Sequence, residues 1–236
     1  MILWVVERAL SAQNISRAIV ATDDQRIAEA VGREGFEAMM TSPSHASGSD
    51  RLAEVAASLD DVEIIVNVQG DEPLISPRTI ERAVDEITGS GEVLMVTTCE
   101  AITNARDVVS PDVVKVVVDC NGRALYFSRS PVPYPREAVR RHETIRAALE
   151  KEPELLNVFR KHTGLYAYRR SFLLEYAGWP QSQLEQSEAL EQLRALERGV
   201  FIKVVEVDSP SIGVDTAEDL ARVRAIFENK PSSLNV

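Results

Sequence analysis

The stretch Glu63-Ile64-Ile65-Val66-Asn67-Val68-Gln69-Gly70-Asp71-Glu72-Pro73 decides how the rest of the chain is read. Its first half is a short run rich in β-branched residues, the pattern of a strand buried on both faces of a parallel sheet. Its second half ends that strand with a glycine that permits a tight path, an acidic pair and a proline that fixes the exit. In open α/β sheets ligands bind at the carboxyl ends of the strands, which is where Asp71 stands. A Mg²⁺ ion asks for one or two carboxylates plus phosphate oxygens rather than a full protein cage, and Asp71 suits that demand. A solvated acidic turn is the competing explanation of Asp71 and Glu72.

Working upstream, Ile19–Thr22 and Phe36–Met40 read as strands on either side of a helix. Asp23 or Asp24 caps that helix, Ile27, Ala28 and Val31 share one of its faces, and Gly35 stops it. Met1–Leu10 has helical spacing at Ile2, Val5, Val6, Ala9 and Leu10. A polar loop, Thr41–Ser49, leads to a helix over Asp50–Leu59. Downstream come a helix over Pro77–Ile87 and a strand over Val93–Thr98. This alternation predicts an α/β protein with an open, mostly parallel sheet. Val113–Asp119 and Arg123–Ser128 then form a hairpin about Asn121-Gly122. A connector from Ser130 to Lys161 holds one short helix. His162–Tyr168 and Val200–Val207 are strands, and Ser171–Ala177, Leu184–Glu197 and Thr216–Phe227 are helices. The expected organisation is one domain over 1–228, with a hairpin, lid and dimerisation subregion over 112–168 and a tail over 229–236.

Composition narrows the function. The chain has 236 residues, 44% of them hydrophobic, and a formal net charge of -11. Such a surface repels phosphate backbones, so no nucleic-acid partner is expected. The two cysteines, Cys99 and Cys120, lack metal-ligand spacing, which suits a reducing compartment. Glu7 and Arg8 interrupt the apolar start too early for a signal-peptide core, and no apolar run is long enough to span a bilayer. The expectation is a cytoplasmic protein with no membrane partner.

Several further constellations could carry chemistry. Ser211-Ile-Gly-Val-Asp-Thr216 repeats the logic of the opening stretch, with Gly213 freeing the backbone and Asp215 standing before a helix. Asp215 or Thr216 could equally be a helix cap. Two such carboxylates on adjacent strands could hold one Mg²⁺ against a nucleoside triphosphate. Ser47, Gly48 and Ser49 offer N–H groups and hydroxyls ahead of a helix, with the forked donor Arg51 nearby; an ordinary capped helix explains them too. Arg129, at the end of a hairpin strand, suits a carboxylate or a surface ion pair. His162, Gly164, Tyr166 and Tyr168 alternate and so face one side of a strand, where a lone histidine can also be structural. Glu185, Glu188 and Gln192 share roughly one helix face, rich in acceptors and donors for a polyhydroxylated sugar; a solvated face with Glu191 near Arg194 is the alternative.

Taken together, VNVQGDEP, SGSDRLAE, VKVVVD–ALYFSR–SPVP, HTGLYAY, LEQSEALEQLRALE and IGVDTAEDL are unusual enough to name a family. The chain, from Met1 to about Phe227, resembles the 3-deoxy-D-manno-octulosonate (KDO) cytidylyltransferases, the CMP-KDO synthetases of Gram-negative bacteria. The resemblance implies a three-layer α/β/α nucleotide-diphospho-sugar transferase fold, usually as a homodimer. It implies CTP and KDO as substrates, and CMP-KDO for lipopolysaccharide assembly plus pyrophosphate as products. It makes Asp71 and Asp215 the Mg²⁺ ligands. Gln69, Ser47, Gly48, Ser49 and Arg51 would meet the cytidine or its ribose, and Arg129, His162, Tyr166, Glu185, Glu188 and Gln192 would line the KDO pocket. A related acid sugar, amino-KDO or a sialic acid, would use the same two aspartates. The family pattern also has an earlier strand and a loop of the type I-P-A-R-x-x-S-x-R-L-P-G-K-P. The expectation is therefore that this chain lacks the Arg and Lys that grip the triphosphate, which leaves room for an inactive relative that only binds.

Overall fold

The structure, a computed structural model, describes residues 1–45, 47–208, 213–214 and 216–228. In chain order the elements are α1 (Ile2–Leu10), β1 (Ile19–Thr22), α2 (Gln25–Arg33), β2 (Glu37–Met40), α3 (Gly48–Ala57), β3 (Ile64–Asn67), α4 (Pro77–Gly89) and β4 (Met95–Ala101). They continue with α5 (Ala105–Val109), β5 (Lys115–Val118), β6 (Ala124–Ser128), α6 (Arg136–His142), α7 (Ile145–Lys151) and a 3₁₀ turn (Pro153–Val158). Then follow β7 (Arg160–Arg169), α8 (Arg170–Ala177), α9 (Gln183–Glu188), α10 (Gln192–Glu197), β8 (Ile202–Glu206) and α11 (Ala217–Glu228). Two compact units result. The first holds residues 1–55 and 68–81 with the described residues from 213 onward; the second holds 56–67 and 82–208.

In the first unit β1 and β2 pair in parallel, Ile19 opposite Glu37 through Thr22 opposite Met40. Between them, Asp24 accepts the Arg26 N–H and caps α2. Gly35, at φ 79°, ends it: Phe36 N–H reaches Val31 O at 3.2 Å and Gly35 N–H reaches Gly32 O at 3.1 Å, a Schellman closure that glycine makes cheap. Val6, Val20 and Val31 form a core with Ile2, Leu3, Ala18, Phe36 and Ala38 around them. Trp4 stacks on Phe227 of α11 at 4.2 Å between ring centroids, fastening that helix to α1.

The second unit is built on one sheet with the order β6-β5-β7-β4-β8, and β3 also pairs with β7. β3, β4 and β5 all run antiparallel to β7, while β8 runs parallel to β4. Four strands therefore share a direction and β6 and β7 oppose them, which is the mixed, mostly parallel α/β sheet expected. A register shift between Thr97 and Thr98 sets two extra residues of β7, Gly164 and Leu165, against β4. At the hairpin turn, Gly122 has φ 75° and its carbonyl accepts the Val204 N–H at 2.8 Å. A side chain there would meet Val204 O at 3.2 Å, so the turn needs glycine for both conformation and space.

Three local expectations change. Residues 130–161 hold two helices and a 3₁₀ turn rather than one short helix, because Thr144 caps α7 through the Ala147 N–H and Ala138, Ala148 and Leu149 turn inward. The helix expected over Leu184–Glu197 is two, α9 and α10, broken where Ala189 takes a left-handed conformation at φ 52° and ψ 51°. α3 begins at Gly48, earlier than the sequence suggests. Among the described residues no helix is long and apolar enough to cross a membrane.

Candidate active site

The first unit carries the residues expected to meet the nucleotide. After Val68 the chain turns tightly: Glu72 N–H reaches Gln69 O at 3.2 Å and Ile75 N–H reaches Glu72 O at 3.1 Å. Gly70 is not demanded by conformation or space, since a Cβ there would meet only Ile2 Cδ1 at an ordinary 3.5 Å. Asp71 is exposed, and its carboxylate makes no hydrogen bond or ion pair among the described residues. Its carbonyl accepts the Val214 N–H at 2.9 Å, which joins the two glycine–acid turns picked out in the sequence. Asp215 lies outside the described residues. The capping role left open between it and Thr216 belongs to Thr216: its hydroxyl accepts the Asp219 N–H at 3.1 Å, and Asp219 accepts the Thr216 N–H and hydroxyl in return.

Ser47 accepts the Asp50 N–H at 3.2 Å and so caps α3, Gly48 opens the helix, and Ser49 is buried. Arg51 donates to Thr41 Oγ1 at 2.6 Å and pairs with Asp23 at 3.2 Å. That guanidinium holds the Asp23 carboxyl below its ordinary range.

The second unit carries the residues expected to meet the sugar, and several are already committed to the protein. Arg129, read as a partner for a carboxylate, spends its guanidinium on carbonyls: Glu188 O at 2.7 Å, Pro111 O at 3.0 Å and Ala189 O at 3.4 Å. Two of these are the carbonyls at the break between α9 and α10, so Arg129 caps a helix end whose left-handed alanine costs about 1 kcal/mol. Glu188 accepts the Ser128 hydroxyl at 2.6 Å and the Arg129 N–H at 2.9 Å. Glu185 is 3% exposed, completes a capping box with Ser182 and forms a two-bond ion pair with Arg194 at 2.6 and 2.8 Å. The shared helix face expected for Glu185, Glu188 and Gln192 is therefore interrupted, and Arg194 forms its buried ion pair with Glu185. Gln192 is 4% exposed with its Nε2 unpaired among the described residues, a donor sealed in without an acceptor.

His162, Tyr166 and Tyr168 do line up, with ring centroids 5.4 and 5.7 Å apart in succession. Burial pushes the His162 imidazole down to about 3, so it is neutral at pH 7. Burial also holds the Tyr166 phenol well above its usual value. Sequence reasoning missed Thr97, whose hydroxyl lies 2.9 Å from His162 Nε2. It also missed Lys115, buried outright, whose ammonium donates to Ser110 O, Val113 O and Arg129 O at 2.8, 2.6 and 2.5 Å. Neither stands in a polar, glycine-rich motif, and their partners lie on other strands or loops.

A family model described as cytidylyltransferase matches residues 1–205. The 3-deoxy-manno-octulosonate cytidylyltransferase of Trichlorobacter lovleyi is 51% identical over 95% of this chain and 86% of its own length. The chain belongs to this cytidylyltransferase family. The family member of Pseudomonas fluorescens is 47% identical over 97% of the chain and 88% of its own length. A solved CMP:2-keto-3-deoxy-manno-octonic acid synthetase complexed with CTP superimposes with a TM-score of 0.84 at 42% identity, covering 96% of this chain and 87% of that one. A glucose-1-phosphate thymidylyltransferase from Bacillus anthracis, at 14% identity and a TM-score of 0.61, shares the cytidylyltransferase's fold.

Proposed function

We propose that this cytidylyltransferase transfers CMP from CTP to KDO, giving CMP-KDO and pyrophosphate for lipopolysaccharide assembly. The observation that carries the reading is the uncommitted Asp71 carboxylate, tied through its own carbonyl to Val214, the residue before Asp215. An exposed carboxylate without a partner among the described residues fits a Mg²⁺ ion that keeps several waters and phosphate oxygens. Asp71, with Asp215, would hold that ion, which when bound neutralises phosphate charge and lowers the pKa of a bound hydroxyl. The anomeric 2-hydroxyl of KDO attacks the α-phosphorus, and the bond to pyrophosphate breaks. The chain supplies position: Gln69 and the Ser47–Arg51 segment hold the cytidine or its ribose, and the Gln192 amide, His162 and Tyr166 meet the acid sugar. Arg129, Glu185 and Glu188 shape the sugar side through the contacts described above. The free cysteines suit a cytoplasmic enzyme, and the family likeness supports a homodimer.

The test is pyrophosphate release from CTP and Mg²⁺ with KDO, amino-KDO or a sialic acid offered separately. The reading expects KDO to have the highest kcat/KM. Turnover with a sialic acid alone would refute the substrate and leave the chemistry standing.

A further inference from the structure

The register shift in β7 leaves a point of proton accounting that identifies a further working residue. Thr97 sits on β4 beside the two extra residues of β7. Its Oγ1 is 2.8 Å from Leu165 O and 3.4 Å from Thr163 O, and 2.9 Å from His162 Nε2. A hydroxyl has one proton to give and two lone pairs to receive. Two oxygens 2.8 Å apart need a proton between them, and a backbone carbonyl has none, so Thr97 donates to Leu165 O. Towards His162 it can then only accept, and Nε2 must carry the imidazole hydrogen. The neutral ring is left with its bare lone pair on Nδ1, which has no partner among the described residues. The ring is fixed from other directions too. Its backbone N–H donates to Val114 O at 2.8 Å, and Phe127 meets it edge-on at 5.1 Å.

We propose that Thr97 is a positioning residue that locks His162 in the Nε2–H tautomer, so that Nδ1 accepts a hydrogen bond from a hydroxyl of the acid sugar and His162 does not serve as a cation for its carboxylate. The sugar half of this statement rests on the function proposed above; the tautomer half rests on geometry alone. The charged groups nearest along the strands, Lys161 and Glu100, pair with each other at 3.0 Å and offer His162 no counter-ion. The low proton affinity that burial gives the ring agrees with an acceptor that stays neutral.

The experiment is nitrogen-15 NMR of the three histidines of the full chain, with His162→Gln to assign the His162 signal. The wild type is expected to show Nε2–H and no titration between about pH 5.5 and 8. Thr97→Val, which keeps shape and removes the hydroxyl, is expected to mix the tautomers and raise KM for KDO about tenfold while KM for CTP stays unchanged. Thr97→Ser keeps the hydroxyl and restores both readouts, which a purely packing role for the threonine would not do. An Nδ1–H signal, titration near the free-histidine value, or an unchanged tautomer in Thr97→Val overturns the proposal. The tautomer needs no substrate, so a wild type inert on CTP and KDO removes the sugar assignment and leaves the Thr97 result to stand or fall by itself.

Discussion

At the scale of single residues, the site separates side chains that are spent from those that are free. Arg129, Glu185 and Glu188 are spent on carbonyls, an arginine and a hydroxyl, while the Asp71 carboxylate and Gln192 Nε2 have no partner among the described residues. His162 is the group whose ionisation burial alters most plainly among those with a single cause, and the sign of its effect on stability follows. Its folded pKa, about 3, lies below the unfolded value of about 6.5. Between those values the unfolded chain binds more protons, so the contribution is complete above pH 6.5 and drains away as pH falls through the window. At pH 5 it amounts to a loss of about 2 kcal/mol. Urea midpoints at pH 7 and pH 5 should fall less in His162→Gln than in the wild type. Equal falls would mean that the imidazole titrates alike in both states. The helix stop at Gly35 was legible in the sequence because its requirement is local, set by a positive φ. Thr97 was not, because its partners lie 65 and 68 positions away.

At the scale of elements, legibility follows the same division. Hydrophobic spacing placed α1, and turn chemistry placed the hairpin. Nothing in Leu184–Glu197 marks the break at Ala189, since alanine favours helix and the groups that stabilise the left-handed turn come from Arg129, about 60 residues upstream. The segment is held instead by the Glu185–Arg194 pair, whose side chains are both 4% exposed. Removing one partner of a buried pair strands the other charge, at a cost of about 3–5 kcal/mol. Arg194→Met should lose stability on that order in urea titration, and adding Glu185→Leu should recover much of it. A single variant within about 1 kcal/mol of wild type would show the pair to be solvated. Arg194 also lies 5.2 Å over the Tyr176 ring, so a small residual loss in the double variant is expected.

At the scale of the whole molecule, alternation of strands and helices was enough to read an α/β protein with a mixed sheet, and ordered motifs were enough to read the family. The insertion of β7 antiparallel among strands of the other direction was not readable, because strand order is a long-range choice that local pattern does not encode. A net charge of -11 excludes little about a small anionic substrate, because the local field at one strand end decides whether a triphosphate is held. Ligand linkage should therefore appear in melting curves: CTP with Mg²⁺ should raise Tm, and CTP with EDTA should not. If EDTA leaves the shift intact, nucleotide binding does not depend on the ion. We propose Asp71, whose carboxylate has no partner among the described residues, as the group that meets the nucleotide's phosphates through a metal ion. The most direct test is the rate of pyrophosphate release from CTP and KDO in Mg²⁺, wild type against Asp71→Asn. We expect kcat to fall by about 10²-fold or more with Tm unchanged, because the side chain has no partner to lose among the described residues. Turnover in Asp71→Asn within a few-fold of wild type would contradict the account.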